Sequence, residues 1–218
     1  MHINLIFQQT LSEKTVQIFT NRGGKSMPFQ PSVWTEQAPP PGAEACELCE
    51  LARQRKRVVW GEGNPLAPVI VILDNPGARE DAQGEAFVCG TRIALQEAAA
   101  EAGLGETDLY VTYILKCRPI RKYDKASARS TCMAHLQAQL FAQRPKLAFC
   151  LGNVAVQSFL CDPEADVKAL RGVWHEAFGL PTAVSYHPLA VRRRPSLRGV
   201  FQADWQMVAE RLRGHFGK

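Results

Sequence analysis

Five apolar residues in a row, Val69 to Leu73, stop abruptly at Asp74-Asn75-Pro76-Gly77. The run is too short for a core helix and rich in β-branched types, so it reads as a strand buried on both faces. Pro76 cannot continue a ladder and Gly77 accepts positive φ, so the strand ends there and holds Asp74 and Asn75 at its carboxyl tip. Function is expected at that tip; a plain Asn-Pro-Gly turn is the competing reading.

The same design recurs along the chain. Leu109 to Leu115 is apolar and β-branched and ends at Lys116-Cys117-Arg118-Pro119; Leu147 to Leu151 ends at Gly152-Asn153; Ala183 to Tyr186 ends at His187-Pro188. Between these strands, Thr91 to Ala102 reads as a helix with Thr91 as N-cap and Gly103 as its stop, and Ser127 to Gln143 as a second one closed by Pro145. Asn153 is a candidate cap for a helix to about Leu160, and Phe201 to Phe216 is an amphipathic closing helix. This alternation predicts an α/β fold, a three-layer α/β/α sandwich around a central, mainly parallel four-stranded sheet. In such sheets ligands bind beyond the carboxyl ends of the strands, where Asp74-Asn75, Lys116 to Arg118, Gly152-Asn153 and His187 all fall.

Residues 1 to 43 lack sustained periodicity and run into Pro39-Pro40-Pro41-Gly42, which predicts an N-terminal extension with a stiff linker, Met27 being an alternative start. Residues 44 to 218 are then the folded domain. No apolar run approaches the roughly 20 residues that span a bilayer and the first residues lack a signal-peptide pattern, so a soluble, cytoplasmic monomer is expected. Lys plus Arg exceed Asp plus Glu by 26 − 21 = 5. The excess is clustered at Arg53 to Arg57, Arg118 to Lys125 and Arg192 to Arg198, which suits a phosphate-rich partner.

Seven cysteines, an odd number, argue against a closed disulfide framework. Cys46 and Cys49 have the Cys-x-x-Cys spacing that lets two thiolates point at one ion, and Cys117 and Cys132 make a looser second pair. Four thiolates suit either zinc or an iron-sulfur cluster, and a redox dithiol at Cys46 and Cys49 is a third reading. Cys150, inside an apolar strand, and Cys161, at a helix end, read as small buried thiols.

From Cys46 to Leu212 the motifs resemble, in order, those of the iron-sulfur branch (family 4) of the uracil-DNA glycosylase superfamily. They are Cys46-Glu-Leu-Cys49, Val58 to Pro65, Leu73-Asp-Asn-Pro-Gly77, Gly84-Glu-Ala-Phe-Val-Cys89 and Thr112-Tyr-Ile-Leu-Lys-Cys-Arg-Pro119. Cys132, Leu151-Gly152, Arg171-Gly-Val-Trp174 and His187-Pro188 follow. Each motif alone is weak, but the ordered series is specific.

The resemblance implies a DNA glycosylase that flips a deaminated base, uracil first, into a pocket and hydrolyses its N-glycosidic bond during base excision repair. It implies a [4Fe-4S] cluster on Cys46, Cys49, Cys117 and Cys132, with structural zinc as the alternative. Phe87 would stack on the base, Gly77 and Tyr113 would line its pocket, and His187 would donate to the base O2 as charge builds. Arg192, Arg193 and Arg194 lie where the family probes DNA, and Arg118 is a further DNA-binding candidate.

The first motif diverges. Leu73-Asp74-Asn75 stands where the family has Gly-Glu-x, and an Asn directly before the Pro looks like the mismatch-specific branch, where it positions the hydrolytic water. Tyr113 stands in place of the Asn that reads the uracil edge. An amide offers a donor and an acceptor, whereas a phenol offers one rotatable hydroxyl. Hypoxanthine or another lesion is therefore the alternative substrate, and a catalytically silent iron-sulfur DNA-binding protein the alternative function.

Overall fold

The computed structural model describes residues 29–82 and 88–216. Met27 and Phe87 lie outside them. Pro31–Lys218 forms one compact unit. Its strands are β1 (Glu36–Gln37), β2 (Gly61–Gly63), β3 (Val69–Leu73), β4 (Leu109–Tyr113), β5 (Leu147–Leu151), β6 (His175–Ala177) and β7 (Leu180–Ser185). Its helices are α1 (Gly90–Glu101), α2 (Lys125–Gln143), α3 (Asn153–Phe159), α4 (Val167–Leu170), α5 (Pro188–Arg193) and α6 (Arg198–Phe216).

The sheet order is β1-β2-β4-β3-β5-β7-β6. The expected parallel strands form its middle: β4, β3, β5 and β7 are mutually parallel, with Val69 opposite Leu109 on one side and Leu147 on the other. Strands buried on both faces read as unbroken apolar runs, and every residue of β3, β4 and β5 is buried. Side chains alternate between two cores. Val69, Val71 and Leu73 face the layer carrying Leu95 and Ala99 of α1 and Trp205 and Val208 of α6. Ile70 and Ile72 face the layer carrying Leu136 of α2 and Val156 and Phe159 of α3. Each such fully buried aliphatic contributes about 1.5–3 kcal/mol.

Among the described residues the sheet has seven strands where four are expected. The extra three are two or three residues long and pair antiparallel at the flanks: β2 on β4, β1 on β2, β6 on β7. Gly61 and Gly63 made β2 read as loop, yet glycine is what brings it against β4. Gly63 has φ +100°, and a Cβ there would stand 2.5 Å from the Leu109 carbonyl oxygen.

The segment before residue 43, read as linker, also belongs to the compact unit from Pro31 onward. Trp34 is buried, β1 joins the sheet, and Ser32 is tied to α1 through both its backbone N–H and its carbonyl, each bonded to Gln96. One aromatic anchor and a two-residue strand lack the periodicity that marks an element in sequence.

Caps differ from expectation too. Cys89, not Thr91, precedes α1, and Gly152, not Asn153, precedes α3; Asn153 instead accepts from Val167 N–H at 3.0 Å and donates to Asp166. Among the described residues no helix is long and apolar enough to cross a membrane.

The order of the parallel strands creates the site. From β3 the chain crosses to β4 on one side and later returns as β5 on the other, so a crevice opens at the carboxyl end of β3. Asp74 is the first residue past that end.

Candidate functional site

A cleft of about 310 Å³ lies at the carboxyl ends of β3 and β4 and the N-terminus of α1. Among the described residues it is lined by Asp74, Asn75, Gly77, Glu80, Cys89, Arg92, Tyr113, His187 and Arg192. The backbone at the end of β3 is fixed, because Leu73 and Asp74 carbonyls accept from Ile114 and Leu115 at 2.8 and 2.9 Å.

His187 caps α5, and its Nδ1 accepts from the Leu189 N–H at 3.1 Å. A nitrogen that accepts carries no proton, so Nε2 holds the ring's proton and directs it to Asp74 Oδ1 at 3.3 Å. Burial acts to raise the Asp74 carboxyl, but the hydrogen bonds from His187 and the Asn75 N–H outweigh it, and the carboxyl ends below its ordinary value. Asp74 is therefore a carboxylate at neutral pH. Asn75 donates its amide N–H to the Pro76 carbonyl at 2.8 Å, which leaves Oδ1 as the acceptor it can offer.

His187 reaches this position because residue 152 is glycine. Gly152 has φ +99°, and a Cβ there would stand 2.9 Å from His187 Cβ. Ser185, two residues before His187, donates to Asp204 at 2.5 Å, and Asp204 is held bidentately by Arg171. Arg171 also donates to the Val200 carbonyl, so the Arg-Gly-x-Trp segment ties the end of β7 to α6.

On the opposite wall Tyr113 stands where the sequence predicts a pocket residue, whereas its partners Arg92 and Glu62 are not predicted. Arg92 of α1, only 3% exposed, pairs with Glu62 of β2 and donates Nη2 to the Tyr113 hydroxyl at 2.7 Å. Burial raises the Tyr113 phenol, so it stays protonated at neutral pH. Cys89 donates its thiol proton to Glu80 at 3.0 Å; burial and that carboxylate raise its thiol, which argues for a neutral wall residue. Arg92 escaped the sequence reading because an arginine in a helix's first turn reads as solvated, and its partner sits in a strand that reads as loop. A cation flanked by Ile93, Ala94 and Leu95 was the available signal.

The arginines divide. Arg192 turns back over Gly90, where a Cβ would stand within 2.6 Å of its guanidinium, and lines the cleft. Arg193 and Arg194 are exposed on the same turn, and Arg118 is half-buried beside Cys117.

The four expected cysteines come together. Cys46, Cys49, Cys117 and Cys132 line one small cavity with Arg55, Lys116 and His135. His135 Nε2 lies 3.3 Å from Cys46 Sγ, and the Lys116 N–H donates to Cys132 Sγ at 3.3 Å. Burial pushes the Cys117 thiol up to about 12. Arg55 Nη1 is buried there without a partner, a donor suited to a thiolate-rich group. Among the described residues no three His, Cys, Asp or Glu are arranged to hold a single metal ion. Cys150 is buried in β5 as expected, whereas Cys161 is exposed at positive φ, because the chain turns outward after α3.

A mainly parallel α/β sheet with a polar cleft at its switch point is the architecture in which α/β proteins place their ligand sites. The chain belongs to the uracil DNA glycosylase superfamily, whose sequence model matches residues 60–209. It is 34% identical over 174 residues to the Type-4 uracil-DNA glycosylase of Archaeoglobus fulgidus, covering 76% of this chain and 87% of that protein. It is 31% identical over 175 residues to that of Pyrobaculum aerophilum, covering 74% and 87%. For the Thermotoga maritima protein of the same description the identity is 28% over 153 residues. The motif resemblance is thereby borne out.

Proposed function

We propose that the protein is a DNA glycosylase that draws a deaminated base, uracil foremost, out of DNA and hydrolyses its N-glycosidic bond, leaving an abasic site for base excision repair. The observation that carries this is the Asp74–His187 pair at the carboxyl end of β3, with the imidazole proton fixed on Nε2 by Leu189.

In the free protein Asp74 holds the Nε2 proton. An entering base brings its O2 to the same imidazole, which then donates to the oxygen where negative charge grows as the base departs. Asp74, released and still a carboxylate, faces the positive charge that develops on the sugar and accepts a proton from the attacking water. Asn75 Oδ1 positions that water; an amide is no base, so its contribution is placement. The water's hydroxyl bonds to the sugar carbon as the glycosidic electron pair leaves with the base. Exposed Arg193 and Arg194 suit phosphates, Arg118 a further backbone contact, and Arg192 the rim beside the flipped nucleotide.

Cys46, Cys49, Cys117 and Cys132 would hold a [4Fe-4S] cluster. Four thiols around one cavity, with Arg55 Nη1 buried beside them without a hydrogen-bond partner among the described residues, support a thiolate-bound centre, with structural zinc as the alternative to the cluster. The cluster would supply a cross-link between the loop of Cys46 and Cys49, the exit of β4 and α2.

Abasic-site formation on oligonucleotides bearing single uracils tests the function. Release of uracil by the wild type, slowed at least about tenfold by Asp74→Asn, is expected. DNA binding without release of any damaged base would replace the enzyme with a silent iron-sulfur DNA-binding protein.

A further inference from the structure

The Tyr113 hydroxyl is a reader with a fixed direction. Its oxygen accepts from Arg92 Nη2 at 2.7 Å, and the guanidinium has only donors to offer. The guanidinium lies over the Tyr113 ring, its carbon 5.7 Å from the centroid, and its positive charge repels the phenol proton, which therefore points away from it. Glu62 holds Arg92 through Nε, and both Arg92 and Tyr113 line the cleft. Among the described residues the phenol proton meets no acceptor.

We propose, resting on the glycosylase reading above, that Tyr113 reads the flipped base through this single donor, with Arg92 as the positioning residue that fixes its direction. The wall accepts a keto oxygen and refuses an amino group, whichever ring carries it. Deamination turns the amino group of cytosine into the keto oxygen of uracil, and that of adenine into the keto oxygen of hypoxanthine. One donor therefore sorts deaminated products from parent bases in both ring classes. An amide in this position also reads the neighbouring ring N–H and so demands a second match; the phenol does not. Thymine and guanine carry keto oxygens as well, so their rejection falls to the other walls and to the cost of flipping a well-paired base.

The test uses the full-length protein and oligonucleotides carrying uracil, hypoxanthine, cytosine or adenine at one mispaired position. Release is measured by strand scission at the abasic site. Binding is measured in parallel on DNA with the 2′-fluoro, non-hydrolysable forms of the same nucleosides. Uracil and hypoxanthine are expected within about tenfold of each other, and both at least about a hundredfold above cytosine and adenine. Tyr113→Phe should lower both keto substrates by about tenfold or more and collapse the gap to the amino bases. Arg92→Met frees the phenol to turn its lone pair to an amino group, so the keto-to-amino ratio should shrink even if overall activity falls. That ratio is untouched by mere misfolding, and Tyr113→Phe, which leaves the Arg92–Glu62 pair intact, carries the test if Arg92→Met does not fold. Uracil release with hypoxanthine more than about a hundredfold weaker overturns the proposal and leaves the glycosylase standing. No release of any base, with keto-selective binding that Tyr113→Phe abolishes, overturns the glycosylase and leaves the reader standing. Equal binding of keto and amino bases overturns the reader.

Discussion

The cysteine centre and the cleft are built from opposite materials, although both draw on the same few residues after β4. At the centre, four identical groups converge from Cys46, Cys49, Cys117 and Cys132, and burial, not partnering, dominates the thiols of Cys117 and Cys132. In the cleft each group is defined by a neighbour of another kind: Asp74 by His187, His187 by Leu189, Tyr113 by Arg92, Cys89 by Glu80. A centre of like groups serves as a fastening. A set of unlike, mutually oriented groups can move a proton and distinguish one base from another.

Lys116 joins the two regions. It is 1% exposed, and its Nζ bonds Thr112 Oγ1 at 2.6 Å, the Tyr113 carbonyl at 2.8 Å and Gln139 at 2.5 Å. Its own N–H serves Cys132. Disturbance at the centre therefore reaches the cleft wall through Lys116, whereas Asp74, on the other side of the cleft and partly exposed, is replaceable at little cost to the core.

That asymmetry is broken most severely at the centre. Cys117→Ser should abolish the iron binding expected of the wild type, about four atoms per chain if the proposed cluster is present, and lower the thermal midpoint or solubility enough to cost most of the folded protein. Iron analysis with thermal unfolding checks it; a variant that unfolds like the wild type would reduce the centre to an accessory. Asp74→Asn should do the reverse, with iron content and thermal midpoint unchanged and turnover down by at least about tenfold, since a neutral amide neither faces the sugar's charge nor takes a proton. Asn75→Ala should also lower turnover by about tenfold with little loss of binding. Unchanged turnover would move the water to Asp74 alone.

The contrast also explains what was legible in the sequence. Like groups at fixed spacing, and strands buried on both faces, write themselves as repeated letters, so the four cysteines and the four parallel strands were readable. So were Asp74 and His187, because strand ends are marked by Pro76 and Pro188. The Arg92–Glu62–Tyr113 wall was not, because its meaning lies in contacts across three elements, one of them a Gly-Glu-Gly strand without any strand propensity. Tyr113 was noticed as a substitution, but its orientation depends on Arg92 and is invisible in its own letter. β1 and β6 are illegible for a different reason: two or three residues carry no period.

The pH response sharpens the cleft side. The Asp74 carboxyl sits below its ordinary value of 3.8, so its interaction with His187 adds stability above the unfolded-state value, lost as pH falls through the lower folded value. The acid limb of kcat/KM should therefore lie below the range of an ordinary carboxylate, about 4, and the Asp74→Asn variant should lack that limb. An acid limb at the ordinary value in the wild type would mean that Asp74 titrates without His187.

A smaller effect is expected where backbone, not chemistry, sets the geometry. Gly152 holds φ +99°, ψ 157°, a region open to glycine almost alone, and Gly152→Ala adds a Cβ 2.9 Å from His187 Cβ. The strain costs about 1–3 kcal/mol of stability, and the collision moves the imidazole away from Asp74. Turnover should fall severalfold with the cluster retained, and the acid limb should rise toward the ordinary carboxylate range as the partner recedes. That coupled change separates a displaced His187 from a general loss of folded protein, which would lower turnover at every pH alike. If Gly152→Ala alters stability alone, the contact with His187 is incidental, and the two regions are less different than their chemistry makes them: both would then rest on packing.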